Sequence, residues 1–221
     1  KIVRIRLTRR KTILSPWPIW VKTTACILSL FLAAGAIGGA LLYAEITSNF
    51  PSIEALPLLL DPPNGKLLQP TRIYDRSGQH ILLTLVNPLV GDRQYLHHPK
   101  INGEILSADN DSFLPQQVLS ATLASTHLKP EDAGFFRFPL KPASETLAMA
   151  ERLTSEILLT SESYGWKQDL RKEFLAAQIL ATYGPEKVIE WYLNYADYGY
   201  MAYGVQAGSK LYFGKTCDRL T

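Results

Sequence analysis

The chain has 221 residues, of which 47% are hydrophobic and 19% charged, as is ordinary for a folded protein. Seven of its 23 basic residues, and none of its 20 acidic residues, precede Glu45. From Glu45 onward there are therefore 16 basic against 20 acidic residues, a net charge of about −4. Because a phosphate-binding domain needs a basic face, this balance argues against nucleic acid as a partner.

An uncharged run of 22 residues, 23–44, lies between Lys22 and Glu45. A bilayer core takes about 20 residues of helix, so the run predicts a single transmembrane helix after a basic tail, residues 1–22. The basic flank follows the positive-inside pattern, which predicts a cytoplasmic N-terminus and an extracytoplasmic C-terminal part. A cleaved signal peptide is the alternative interpretation, although its apolar core is normally about 7–15 residues long.

The anchor contains Gly35 and Gly39 at GxxxG spacing, with Ala36 and Ala40 beside them. Small residues four apart let two helices approach closely, so this face is a candidate contact with other membrane-protein subunits. A Gly-rich anchor that contacts only lipid is the alternative. The basic tail is interpreted as a topology signal that is also attracted to anionic lipid headgroups.

No metal or redox site is predicted from the cysteines and histidines. Cys26 and Cys217 lie far apart in the sequence, and no CxxC occurs. His97 and His98 are adjacent, and adjacent residues do not face one ligand on a regular element. We therefore predict a solvated loop there.

Residues 45–112 are predicted to form a stalk that contains a β-hairpin. The stretch 45–69 carries four prolines, which predicts irregular structure. Residues 70–85 read PTRIYDRSGQHILLTL, two β-prone runs around the turn sequence 75–78, which predicts the hairpin.

A mostly α domain is predicted over residues 113–221. Apolar residues recur at helical spacing, and proline and glycine separate the periodic segments. The first two predicted helices begin near Pro115 and near Ser144. The third runs from Asp169 to Tyr183, before Gly184, and the fourth begins at Pro185. The last predicted helix ends at Gly214.

The C-terminal stretch, residues 188–215, reads VIEWYLNYADYGYMAYGVQAGSKLYFGK. It is similar to the ILExYLN, YG, YGIxAA and YFGK segments of the family-51 peptidoglycan glycosyltransferases, the transglycosylase modules of class A penicillin-binding proteins. Residues 72–78, RIYDRSG, resemble the hairpin that follows the anchor in that family. The resemblance implies a lysozyme-like helical domain at a bacterial cytoplasmic membrane, and a domain that normally continues beyond the YFGK segment.

The resemblance also implies a mechanism. One carboxylate deprotonates the 4-hydroxyl of an acceptor sugar, which attacks the donor's anomeric carbon and releases lipid pyrophosphate. Glu131 is the expected base and Glu173 its assistant. The cations expected to hold the pyrophosphate are Lys167, Arg171 and Lys172. No cofactor is expected, apart from a divalent cation in an active member.

Three departures from the family pattern fall on this machinery. Residues 131–135 supply EDxxF, but Phe138 stands at the position of the family's histidine. Nothing resembles the family's GGSTITQQL segment. The family's RKxxE is crowded into residues 171–173, and an ungapped alignment puts Lys172 at the acidic position. The structural alternative is that Glu131 caps a helix and residues 171–172 form a solvated face.

Three functional hypotheses follow. The sequence favours a membrane-anchored glycosyltransferase-like protein with a degenerate active site, which acts as a non-catalytic structural or interaction subunit of a membrane complex. The alternative is an active glycosyltransferase that polymerises lipid II into glycan strands. The third hypothesis is a module that binds lipid II or glycan without turning it over.

Overall fold

The apolar run near the N-terminus forms one helix, α1 (Ile19–Thr47). A computed structural model describes residues 18–91, 93–101, 104–105, 113–126 and 145–220. The most apolar 18-residue window of α1 has a mean hydropathy of 2.2 and is 0% buried, so the helix is long and apolar enough to cross a membrane. The helix is longer than the predicted run 23–44 and includes residues on both sides of it.

The chain divides into two units, residues 1–48 and 49–221. The second unit holds the remaining elements, in which one short helix is followed by the strands and then by the other helices. The strands are β1 (Thr71–Tyr74), β2 (Ile81–Leu85), β3 (Lys100–Ile101) and β4 (Glu104–Ile105). The helices are α2 (Leu56–Leu60), α3 (Gln116–Thr126), α4 (Glu145–Leu153), α5 (Trp166–Tyr195) and α6 (Val205–Phe213). The prediction of a mostly α chain with one apolar N-terminal helix and a hairpin is confirmed.

The predicted hairpin is formed by β1 and β2, which pair antiparallel from Thr71 opposite Leu85. Its turn is organised by Asp75, whose carboxylate accepts hydrogen bonds from the Ser77 hydroxyl and from the backbone N–H of Gln79. These bonds, that of Ser77 first, lower the pKa of Asp75 to about 2. The turn chemistry read from the sequence therefore matches the observed contacts.

The irregular structure predicted for residues 45–69 is wrong. After α1 the chain forms a 3₁₀ turn (Ile53–Ala55), then α2, then a second 3₁₀ turn (Lys66–Leu68). Leu56 and Leu60 are almost fully buried in the main core, because the Leu-rich α2 has an apolar face to cover. Proline breaks this segment into short pieces without keeping it out of the core. The proposed boundary between stalk and helical domain at residue 113 stays a prediction.

The main core lies where α4 packs against α5. Amphipathic periodicity puts Met149 and Leu153 of α4 into the same buried cluster as Leu175 and Ile179 of α5. Leu119 of α3 joins that cluster. The helices predicted to start near residues 115 and 144 are confirmed as α3 and α4.

The third and fourth predicted helices are the two halves of α5. Gly184 interrupts α5 with φ 79° and ψ 161°, a conformation that glycine adopts without a Cβ clash, and Pro185 opens the second half. The first half begins at Trp166, three residues before the predicted start. Helix α6 ends at Phe213, next to the predicted end at Gly214, and Gly214 caps it in the left-handed conformation.

Candidate functional site

A cleft of about 620 Å³ lies where the chain leaves α4, enters α5 and leaves α5 again. Its walls come from the π-helical turn after α4 (Thr154–Leu158), the loop that follows, the first turns of α5, and the residues between α5 and α6. Most of these side chains are polar, so the cleft suits a polar ligand. The lining residues are Ser155, Glu156, Leu159, Thr160, Glu162, Tyr164, Gln168, Asp169, Lys172, Tyr195, Asp197 and Tyr203.

The charge of this lining is acidic. Among the described residues that line the cleft there are four carboxylates and one cation; they are Glu156, Glu162, Asp169, Asp197 and Lys172. A cleft lined mainly by one sign of charge concentrates ligands of the opposite sign. The lining therefore favours cations over anions.

Arg171 is placed as a structural cation. Its Nη2 atom lies 3.0 Å from Oε1 of Glu162 and donates a hydrogen bond of 3.1 Å to the carbonyl of Asn49. Its guanidinium carbon lies 4.9 Å from the ring centroid of Phe50. The side chain is 12% exposed and is not among those that line the cleft. Arg171 thus holds residues 49–50 and the Glu162 loop against α5.

The other two cations predicted to hold pyrophosphate lie differently. Lys172 lines the cleft, with its Nζ atom 3.6 Å from Oδ1 of Asp169. Lys167 is exposed, and its Nζ atom lies 5.7 Å from the ring centroid of Trp166. Of the three predicted cations, only Lys172 faces the cleft. The assignment of all three to pyrophosphate stays a prediction.

Glu173 follows Lys172 in α5, is half-buried, and is not among the residues that line the cleft. One step along a helix turns the side chain by about 100°, which is why the two neighbours point in different directions. Glu131 lies outside the described residues. The predicted roles of Glu131 and Glu173 therefore stay predictions.

A buried carboxylate that the sequence analysis missed lies in the second half of α5. Glu190 is 0% exposed. Its carboxylate accepts hydrogen bonds of 2.8 Å from the Tyr95 hydroxyl, 2.8 Å from the Lys187 ammonium and 2.7 Å from the backbone N–H of His98. Three donors satisfy a charge that is otherwise costly to bury. Burial and the charge of Glu190 raise the pKa of Tyr95.

Lys187 joins this carboxylate to a second one. Its Nζ atom lies 2.8 Å from Oδ1 of Asp61, which also accepts a hydrogen bond of 2.7 Å from the indole N–H of Trp191. Burial acts to lower the pKa of Lys187, but the hydrogen bonds to Asp61 and Glu190 outweigh it and raise the pKa. The network ties two stretches of chain, at Asp61 and at residues 95–98, to one helix.

Asn194, one turn after Glu190, clamps the same stretch. Its side chain exchanges two hydrogen bonds with the backbone of Leu96, donating at 2.8 Å and accepting at 2.9 Å. The Arg93 guanidinium donates to the backbone carbonyls of Asn194 and Leu67. Glu190 and Asn194 belong to the ILExYLN resemblance, and both act here as packing residues. No local signal marked Glu190 for burial, because two of its donors lie 92 and 95 residues earlier in the chain.

The turn after α5 requires a glycine at Gly204, and helix α6 requires one at Gly208. Gly204 has φ +85°, and a Cβ there would lie 2.8 Å from the carbonyl oxygen of Asn194. A Cβ on Gly208 would lie 2.8 Å from the Tyr198 ring. Burial first, then the proximity of Tyr192 and Cys217, raises the pKa of Tyr198 to about 12.

Comparison with known proteins matches this part of the chain to one family. A family model described as Transglycosylase matches residues 145–221. The chain is also similar to penicillin-binding protein 1A of Escherichia coli (strain K12), with 27% identity over 213 residues, 91% of this chain and 22% of the relative. This chain carries a divergent family-51 transglycosylase module.

Two further relatives support the assignment. Penicillin-binding protein 1A of Aquifex aeolicus (strain VF5) is 34% identical over 183 residues, 72% of this chain and 22% of the relative. Biosynthetic peptidoglycan transglycosylase of Marinomonas sp. (strain MWYL1) is 40% identical over 47 residues, 21% of either protein. The chain thus spans about a fifth of the length of these curated relatives. The matched part of the transglycosylase module contains α4, α5, α6 and the cleft.

Proposed function

We propose that this protein is a membrane-anchored, non-catalytic relative of the peptidoglycan transglycosylases that serves as a structural or interaction subunit of a membrane complex. The observation that carries the proposal is the charge of the cleft. Release of a lipid pyrophosphate needs cations that stabilise the leaving anion. Here the cleft lining has four carboxylates, and its one described cation, Lys172, lies beside Asp169.

The position of Arg171 supports the same proposal. An arginine that binds pyrophosphate must present its N–H donors to the ligand in a fork. The Nη2 atom of Arg171 is directed at Glu162 and at the Asn49 carbonyl, and the side chain is mostly buried. Converting it to a phosphate ligand would break both contacts.

The residues that carry the family resemblance also fit a fold kept without turnover. Glu190, Asn194 and Gly204 are engaged in packing or backbone contacts rather than directed into the cleft. Their retention preserves the helical unit whether or not the chemistry survives. A protein of this kind acts through its surfaces and its anchor.

The active alternative is a lipid II polymerase. It is favoured by the similarity to a relative named biosynthetic peptidoglycan transglycosylase, and by one cation, Lys172, that does face the cleft. The two proposals are separated by incubating the detergent-purified protein with lipid II and separating the products by size. No glycan is expected from the wild-type chain. Glycan that disappears in Glu131→Gln would establish the polymerase.

We place the protein in a bacterial cytoplasmic membrane, with the basic tail in the cytoplasm and the helical unit outside. The uncharged run 23–44 within α1 and the basic residues before it support this orientation. The lipid bilayer is then its first partner.

The anchor is the proposed contact with another subunit. A Cβ added at Gly35 or Gly39 would meet no described heavy atom within 4 Å, so this face of α1 is open to a second helix. Gly35→Leu with Gly39→Leu is expected to release co-purifying subunits during native sizing in mild detergent. Ala33→Leu, about half a turn away on α1, is the control. Unchanged migration of the double variant would remove the case for the anchor.

A further inference from the structure

We propose that the turn before α5, residues 163–167, is a second contact of this protein with the membrane, in which Tyr164 and Trp166 enter the headgroup layer. The inference rests on the proposed membrane anchor and extends the contact with lipid from α1 to the helical unit. Two independent observations carry it. One is the short connection between the anchor and the helical unit, and the other is the exposure of the aromatic side chains in this turn.

The connection keeps the start of the helical unit close to the bilayer. Helix α1 ends at Thr47, three residues past the uncharged run 23–44, and the helical unit begins at Asn49. Three residues of helix rise about 4.5 Å, and two residues of extended chain span at most about 7 Å. Each headgroup layer is about 5 to 8 Å thick, so Asn49 lies in it or just above it when the uncharged run fills the bilayer core.

Arg171 holds the turn next to Asn49. Its Nη2 atom lies 3.1 Å from the carbonyl oxygen of Asn49 and 3.0 Å from Oε1 of Glu162. One nitrogen thus joins the residue at which the helical unit begins to the residue that precedes the turn. Tyr164 and Trp166 follow Glu162 within four residues, so they lie near the point where the chain enters the helical unit.

The turn presents aromatic side chains to its surroundings. Tyr164 is 97% exposed and Trp166 is 49% exposed. Lys167 is also exposed, with its Nζ atom 5.7 Å from the ring centroid of Trp166. Tyrosine and tryptophan are enriched where a membrane meets water, because one end of each side chain is apolar and the other forms hydrogen bonds. A neighbouring lysine adds a cation that suits anionic headgroups.

The bilayer is the occupant that the connection selects. A partner protein has to be brought to this surface, whereas α1 already holds the bilayer within a few residues of it. The carboxylates on either side of the turn do not oppose the contact. Glu162 is paired with Arg171 at 3.0 Å and Asp169 with Lys172 at 3.6 Å, so each negative charge has a cation beside it.

The contact is measured in nanodiscs that hold one copy of the full chain in phosphatidylcholine and phosphatidylglycerol. Tyr164→Cys in a Cys26→Ala background carries a bimane label, and Tyr200→Cys, at a tyrosine that is 80% exposed, is the matched control. We expect iodide, which stays in water, to quench the label at position 164 at least about threefold less than the label at position 200. A lipid with a nitroxide headgroup should quench the label at position 164 more. Equal quenching of the two labels by iodide would overturn the membrane contact.

A second substitution tests the role of the aromatic pair. Trp166→Ser, made together with the label at position 164, should raise iodide quenching at least about twofold, because it removes the larger interfacial side chain. Phe213→Ser, at an aromatic residue that is 66% exposed, should leave the quenching unchanged. An equal rise in the two variants would overturn the role of Trp166.

The proposed anchor fails in a different way from this contact. A chain that stays in the nanodisc while iodide reaches both labels equally would overturn the contact of the turn and leave the anchor in place. A chain that does not co-elute with the nanodisc would instead overturn the anchor itself.

Discussion

Glu162 holds Arg171 by an ion pair of 3.0 Å, in which the arginine side chain is 12% exposed and the glutamate side chain 30% exposed. The pair joins the loop before α5 to the helix itself. It turns a cation that the family resemblance assigns to pyrophosphate into part of the scaffold. We therefore expect truncation of Arg171 and truncation of Lys167 to have different effects on the free energy of unfolding.

Arg171→Ala should lower the free energy of unfolding by about 2 kcal/mol. The substitution removes the Glu162 ion pair, the hydrogen bond to Asn49 and the contact with Phe50. Lys167→Ala, at an exposed position, should cost less than about 0.5 kcal/mol. Urea unfolding followed by circular dichroism measures both.

The opposite ranking would show that Arg171 is not a scaffold residue. A second measurement separates the roles further, because a pyrophosphate-binding arginine affects affinity for inorganic pyrophosphate. We expect wild type and Arg171→Ala to bind it equally weakly. If the wild type binds pyrophosphate measurably and the variant does not, Arg171 is a pyrophosphate ligand.

Glu190→Gln should lower the free energy of unfolding by about 3 kcal/mol. Removing one charge of a buried ion pair leaves the other charge, on Lys187, uncompensated. The Gln amide also turns a donor toward Tyr95, Lys187 or the His98 N–H, all of which are donors to the wild-type carboxylate. Thermal unfolding is the measurement.

Glu186→Gln, one turn earlier in α5 and partly exposed, is the matched control for this change. It should shift the free energy of unfolding by less than about 0.5 kcal/mol. Similar costs for the two variants would mean that the Glu190 network does not hold residues 95–98 to the helix.

The helices and the hairpin were predictable because their signals are local. Gly184 and Pro185 mark the break in α5, and Gly214 marks the end of α6, through the backbone conformations that these residues favour. Asp75 marks the hairpin turn through its short side chain. These signals act within a few residues and need no knowledge of the fold.

The misses all depend on contacts between distant parts of the chain. The segment with Leu56 and Leu60 was predicted to be a proline-rich stalk because the side chains that cover these leucines come from distant parts of the sequence. Glu190 is satisfied by donors 92 and 95 residues earlier, so its burial cannot be read from its neighbours. Arg171 reads as a ligand until its contact with Asn49 is known.

Alkaline pH should destabilise the helical unit partly through Tyr198. Its pKa is raised from 10.0 to about 12, so the folded state keeps the proton that the unfolded state loses. This contribution to stability is complete below about pH 10 and is lost as the pH rises toward 12. A two-unit shift corresponds to about 2 to 3 kcal/mol.

Tyr198→Phe removes this titration. The free energy of unfolding of the variant, measured by urea titration at a series of pH values, should fall less steeply between about pH 10 and 12 than that of the wild type. Parallel curves would show that Tyr198 is not the source. Other tyrosines whose pKa is raised by burial, including Tyr95, leave some pH dependence of the free energy of unfolding in both proteins.

Orientation in the membrane is testable with a single new cysteine. Cys217 is 1% exposed and is a poor target for labelling, so exposed Asp218→Cys in a Cys26→Ala background is the better reporter. We expect a membrane-impermeant maleimide to label it in intact spheroplasts. Thr8→Cys, in the basic tail, should label only after the membrane is opened. Labelling in the reverse order would invert the topology.

The loss of catalysis is the central claim, and lipid II polymerisation measures it most directly. Purified wild-type chain and Glu131→Gln are incubated with labelled lipid II, with and without a divalent cation, beside an active transglycosylase as a positive control. The account predicts that both leave lipid II unchanged while the control converts it to glycan. Glycan strands made by the wild type and absent with Glu131→Gln would contradict it.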